Sequence, residues 1–68
     1  MNLITVSSTN ISSIGYENGT LYIKFKTSGI YAYDNVPQSV YEGLMSSGSH
    51  GKYFRDFIKG RYTYRRIG

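Results

Sequence analysis

Three observations predict a small α+β domain from this sequence. Two runs of alternating apolar and polar residues, Ile11 to Glu17 and Thr20 to Thr27, flank Asn18-Gly19. Two short amphipathic stretches with helix signals follow, one after Pro37 and one after Ser49. The length, 68 residues, allows a single domain spanning 1–68. The expected architecture is an antiparallel sheet of three or four strands with two short helices packed on one face.

Leu3 to Val6 reads as a short edge strand and Ser7-Ser8-Thr9-Asn10 as a loop. Asn-Gly accepts the positive φ angles of a type I′ turn, so the two runs form a two-residue hairpin. That turn pairs Tyr16 with Leu21, Ile14 with Ile23 and Ser12 with Phe25 on the core face, and turns Tyr22, Lys24 and Lys26 outward. For the next hairpin two registers compete. A three-residue loop, Thr27-Ser28-Gly29, sets Gly29 at positive φ, pairs Lys26 with Ile30 and Phe25 with Tyr31, and places Tyr31 and Tyr33 in the core. A two-residue loop at Ser28-Gly29 moves both tyrosines to the outer face beside Lys24 and Lys26. Ser is a poor residue for positive φ, which favours the longer loop.

Asp34-Asn35-Val36-Pro37 ends the strand, and Pro37 suits a first helical position because the N–H it lacks has no partner there. Val40, Tyr41 and Leu44 form the apolar stripe of the first helix, and Ser46-Ser47-Gly48 stops it. Ser49 caps a second helix over about His50 to Lys59. Phe54, Phe57 and Ile58 fall on one side of that helix and Lys52, Arg55 and Lys59 on the other, so its apolar face is expected to cover the sheet. Gly60 ends it. The alternation from Tyr62 to Ile67 suits a last strand.

A chain this short buries only about 60% of the surface it exposes when unfolded, and such domains are commonly stapled by disulfides, metal or oligomerisation. With no Cys and one His, disulfides and a structural zinc are excluded, which leaves a homo-oligomer as the expected route. No run of about 18 apolar residues exists, and Met1 to Val6 lacks the pattern of a secretory signal, so a soluble cytoplasmic chain is expected.

The net charge of +4 is unevenly placed. From Lys52 onward, Lys52, Arg55, Lys59, Arg61, Arg65 and Arg66 face only Asp56, and Tyr53, Phe54, Phe57, Tyr62 and Tyr64 are interleaved. Cations beside aromatic faces suit ligands with phosphates and bases. Where this region begins, Ser49, His50, Gly51 and Lys52 resemble an anion cradle at a helix start, extended along the helix by Arg55 and Lys59. It is not a Walker A loop: Ser46 occupies the first Gly position and Tyr53 that of the metal-binding hydroxyl. The competing reading is an ordinary helix–helix turn with a solvated basic face. Tyr22, Tyr31, Tyr33 and Tyr53 are the stacking candidates, and Arg61, Tyr62, Tyr64, Arg65 and Arg66 form a basic, aromatic tail. His50 has no second acid–base partner nearby, and the four acids are too scattered to hold Mg²⁺, so neither catalytic nor metal-binding residues are expected, and no cofactor.

Val6-x-Ser8, Ile14-Gly15-Tyr16, Leu21-x-Ile23-x-Phe25, Gly29, Tyr31-x-Tyr33, Val36-Pro37, Val40-Tyr41, Leu44, Ser47-Gly48-Ser49, Gly51-x-Tyr53-Phe54, Ile58 and Tyr62 together resemble the KTSC domain, a module at the C-terminus of some lysyl-tRNA synthetases that also occurs free-standing in bacteria and phages. The resemblance implies an α+β fold and an RNA-binding role, and offers no catalytic residues. Transfer-RNA charging is excluded by size. The expected function is binding without turnover. In the favoured form, a free-standing oligomer captures a small signalling nucleotide, its phosphates at Ser49 to Lys52 and Arg55 and its base against a tyrosine, as a phage sponge for a host immune signal would in the host cytoplasm. The alternatives are an RNA-binding module using the basic helix face and tail, and a protein-interaction module with a tyrosine interface.

Overall fold

In the computed structural model, which describes residues 2–68, the chain runs β1 (Ile4–Thr5), β2 (Ile11–Glu17), β3 (Thr20–Phe25), β4 (Gly29–Tyr33), α1 (Gln38–Ser46), α2 (His50–Phe57) and β5 (Tyr64–Arg66). Met1, the first residue of the expected domain, lies outside the described residues. The strands form one antiparallel sheet in the order β1-β2-β3-β4-β5, slightly larger than the three or four strands expected. No helix among the described residues is long and apolar enough to cross a membrane.

The first hairpin forms as its turn dictates. Asn18 and Gly19 have φ of 52° and 81°, and Tyr16 opposes Leu21 while Ile14 opposes Ile23. Farther from the turn the pairing shifts: a bulge between Ile11 and Ser13 sets Ile11, not Ser12, opposite Phe25. The extra residue moves Ile11 from the outer face to the core, where it is fully buried, and so puts an apolar side chain where strict alternation would put a serine.

The second hairpin has a three-residue loop, but it comprises Lys26, Thr27 and Ser28, two positions from the expected register. Gly29 has φ 103° and opposes Phe25, Ile30 opposes Lys24, and Tyr31 and Tyr33 oppose Ile23 and Leu21. A shift of two preserves the face, so both tyrosines lie on the core side and the outward platform with Lys24 and Lys26 does not form. The Gly29 position is also set by the far end of the chain: a Cβ there would collide with the Gly68 carbonyl oxygen.

Pro37 is the N-cap of α1 rather than its first helical residue, so the helix starts one residue later than expected, with an extended ψ of 148° at Pro37; its carbonyl accepts the N–H groups of Val40 and Tyr41. Tyr41 stacks on Tyr16 at 4.8 Å, and the Tyr16 hydroxyl donates to the Val36 carbonyl, fixing α1 to the first hairpin. Ile11, Ile14, Leu21, Ile23, Tyr33, Val36, Leu44 and Ile58 form the core beneath the two helices. Phe57 does not join it. Ile58 is already the C-cap of α2, Tyr53 turns onto α1 at Gly43, and Phe57 lies against Tyr53 at 4.7 Å with half its surface exposed. The inward side of this segment is therefore the half-buried Phe54 and, at the C-cap, the fully buried Ile58.

Candidate functional site

The start of α2 follows from Ser49. Its extended backbone (φ −142°) stops helical geometry before it, and its Oγ accepts the Lys52 N–H at 3.3 Å. The N–H groups of His50 and Gly51, in the first turn, have no partner within the helix. The His50 ring is pinned by its Nδ1–H, which donates to the Leu44 carbonyl oxygen at 2.8 Å. A carbonyl only accepts, so Nδ1 carries a proton and is the ring's donor to Leu44, while Nε2 is not engaged by that bond.

Facing this helix start is the loop from Ser7 to Asn10. The Val6 N–H donates to the Ser12 carbonyl, Ser8 Oγ accepts the Ile11 N–H at 3.3 Å, and the Asn10 carbonyl accepts the Lys26 N–H at 2.9 Å. Together these bonds hold the loop against the sheet. Between loop and helix lies a cleft of about 810 Å³, lined on the helix side by Ser49, His50, Gly51, Lys52, Arg55 and Lys59. Phe25, Phe54 and Ile11 supply apolar lining, and Thr27 and Ser28 come from the second hairpin. A Cβ at Gly51 would lie 3.9 Å from both Asn10 Nδ2 and Ser8 Oγ, at ordinary contact distance, which places the loop wall directly across from the helix start.

Among the described residues no carboxylate lines the cleft, while three cations do. The single acid close to them, Asp56, meets Arg55 at 3.4 Å, with both side chains largely in solvent, an arrangement that is worth little and is easily exchanged for a ligand anion. The cleft thus combines a helix N-terminus, three cations, a row of hydroxyls and an amide, and two aromatic rings. That set suits a phosphate-bearing ligand with an apolar part.

The other sequence-selected residues lie elsewhere. Tyr22 is on the outer face of the sheet, paired with Ala32 and Gly15. Tyr53 packs on Gly43 and Phe57. Tyr31 and Tyr33 are in an aromatic cluster with Phe25, Phe54 and Tyr64. Burial, with the nearby Tyr64 and Tyr31 hydroxyls, pushes the Tyr33 pKa up to about 12. The tail does not act as one patch. The Arg61 Nε–H donates to the Asp56 carbonyl, Tyr62 packs on the core, and Arg66 donates to the Gly68 carbonyl. Arg65 is ion-paired with Asp34, which holds its guanidinium above its ordinary range, on the outer face beside Ala32. Sequence reasoning missed Ser7 to Asn10 as a wall and Phe25 and Phe54 as lining residues. The polar run marked a loop, but nothing local marked which helix it would face.

The chain matches the KTSC domain over residues 7–62 and belongs to that family. It is similar to the KTSC domain protein of Yersinia pestis seen by crystallography, with 40% identity, a TM-score of 0.97, and coverage of 98% of this chain and 97% of that one. It is 42% identical over 48 residues to the lysine–tRNA ligase of a Nostoc species, covering 71% of this chain and 9% of the ligase. To the lysine–tRNA ligase of Nostoc punctiforme it is 37% identical over 59 residues, covering 84% of this chain and 10% of the ligase. An uncharacterized protein of Stutzerimonas stutzeri is 31% identical over 70 residues, covering 98% of this chain and 99% of that protein. The chain therefore spans about a tenth of the length of the ligases and nearly the full length of the Stutzerimonas relative.

Proposed function

We propose that this KTSC domain binds a phosphate-bearing nucleotide without chemical turnover, and that it works as a cytoplasmic homo-oligomer that sequesters a small signalling nucleotide, in the manner of a phage sponge. One observation carries the binding reading: six residues selected from sequence, Ser49, His50, Gly51, Lys52, Arg55 and Lys59, line one cleft that no acid enters. Binding without turnover is supported by the composition of that lining. His50 is the one imidazole in that lining, its Nδ1 is committed to the Leu44 carbonyl, and among the described residues no acid lines the cleft beside it to complete an acid–base pair. Capture by an oligomer is consistent with the small core and with a relative that has nearly the same length.

A second reading, an RNA-binding module, is favoured by the lysine–tRNA ligases among the relatives. Against it, Arg65 is paired with Asp34 and Arg66 with the Gly68 carbonyl, so the tail does not extend the basic stripe into a track. Titrating small nucleotides and a short single-stranded RNA at several salt concentrations separates the two. Capture predicts tight nucleotide binding with a shallow salt slope, weakened by Arg55→Ala with circular dichroism unchanged. An RNA slope near −0.7 per phosphate contact, with no nucleotide affinity, would favour the RNA module. No response to either ligand would favour a protein-interaction surface.

A further inference from the structure

Beside the phosphate cleft is a second, smaller pocket of about 340 Å³, reached over residues common to both: Phe25, Ser28, Phe54 and Lys59. Five of its eight lining residues are aromatic; Ser28, Lys59 and Gly60 supply the rest. Phe25, Tyr31, Tyr64, Tyr33 and Phe54 form a closed cycle in which each ring meets the next, with centroid separations of 5.7, 6.0, 5.5, 5.5 and 5.4 Å in that order. Four of these rings belong to the packed side of the domain. Tyr64 instead leaves 59% of its surface in solvent, although it stands on the same side of the sheet as Tyr31 and Tyr33. An aromatic side chain held open beside a pocket offers a face on which another ring can stack.

We propose that this pocket takes the base of the same ligand whose phosphates occupy the cleft, with the base stacking on Tyr64 and the connecting sugar passing Lys59 and Ser28. The inference rests on the phosphate reading of the cleft and deepens it: the ligand is a nucleotide with at least one unpaired base close to its phosphates. Aromatic faces attract both planar rings, by stacking, and organic cations. Here Lys59 lines the pocket and, among the described residues, no carboxylate does, which disfavours a cation and favours a planar, uncharged ring.

Isothermal titration of the full chain with inorganic pyrophosphate and with the four common nucleoside diphosphates tests this, using wild type, Tyr64→Ala and Tyr64→Phe. At least one nucleoside diphosphate should bind about 5- to 150-fold more tightly than pyrophosphate, the range for one base–aromatic stack. Tyr64→Ala should erase that margin and leave pyrophosphate affinity unchanged, whereas Tyr64→Phe, which keeps the ring, should retain it. In wild type, base protons should show nuclear Overhauser contacts to the ring protons of Tyr64 or Phe54. Equal affinities for pyrophosphate and every nucleoside diphosphate, or equal losses for both in Tyr64→Ala, would overturn the base pocket while leaving the phosphate cleft standing. Failure of pyrophosphate and all four nucleotides to bind would overturn the cleft reading and the base pocket with it.

Discussion

Phe54 and Phe57 lie three residues apart on α2, and truncating each to alanine separates what a helix projection treats alike. Phe54 is half-buried and meets Phe25 at 5.4 Å and Tyr33 at 5.5 Å. Losing it removes most of a large ring from the packed side, along with two edge-to-face pairs. A buried Phe→Ala change costs about 3–5 kcal/mol, and partial exposure places this one near 3. Phe57 keeps 51% of its surface in solvent and touches Tyr53 at the surface, so about half of a phenylalanine transfer energy, roughly 0.8–1.5 kcal/mol, is at stake. A single small core supplies about 3–5 kcal/mol in all. Phe57→Ala should therefore stay folded with a urea midpoint lowered by about 1 M, and Phe54→Ala should sit at the edge of unfolding in water, taking a slope near 1 kcal/mol/M. Urea titration followed by far-UV circular dichroism reads both. Equal midpoints for the two variants, or a larger loss in Phe57→Ala, would refute this account of how α2 packs.

Other outcomes follow from the same geometry. Gly29→Ala should destabilise by about 1–3 kcal/mol in urea titration, because φ of 103° is strained for any L side chain and the new Cβ meets the Gly68 carbonyl; a neutral result would remove the β4–β5 end contact. Tyr33 has a folded pKa of about 12 against an ordinary 10, so below about pH 10 its contribution is fully present, and above it the unfolded chain gives up the proton first. Thermal stability should accordingly fall between about pH 10 and 12, and less so in Tyr33→Phe; parallel curves would contradict the burial of that hydroxyl. Arg55→Ala should weaken nucleotide binding by about 10- to 150-fold, as expected for one charged hydrogen bond, with an unchanged melting temperature because the side chain is exposed.

Much of this architecture is local and so was legible in the chain. Asn18-Gly19 allows few alternatives, and Ser49 before an amphipathic stretch marked the start of α2 to the residue. The departures are tertiary in origin. The bulge that buries Ile11 answers the need for an apolar partner opposite Phe25, which strand alternation does not express. The two-residue slide of the second hairpin depends on Gly29 meeting Gly68 from the other end of the chain. Phe57 lies outward against Tyr53, which packs at Gly43 on the neighbouring helix, a contact between segments that no periodicity encodes. In the cleft, the helix side was readable because its residues are consecutive or one turn apart; the opposite wall, Ser7 to Asn10, comes from some forty residues earlier. The stacking role was assigned to Tyr22, Tyr31, Tyr33 and Tyr53, yet only Tyr31 and Tyr33 border a pocket next to the cleft, and its exposed ring belongs to Tyr64.

Native mass spectrometry of the purified protein, alone and with a mixture of cyclic nucleotides, ADP-ribose derivatives and short RNAs, tests nucleotide capture most directly. The account predicts a discrete homo-oligomer that retains a small nucleotide mass, with the adduct lost in Arg55→Ala. Retention of RNA alone, or an oligomer or monomer with no adduct at all, would contradict it.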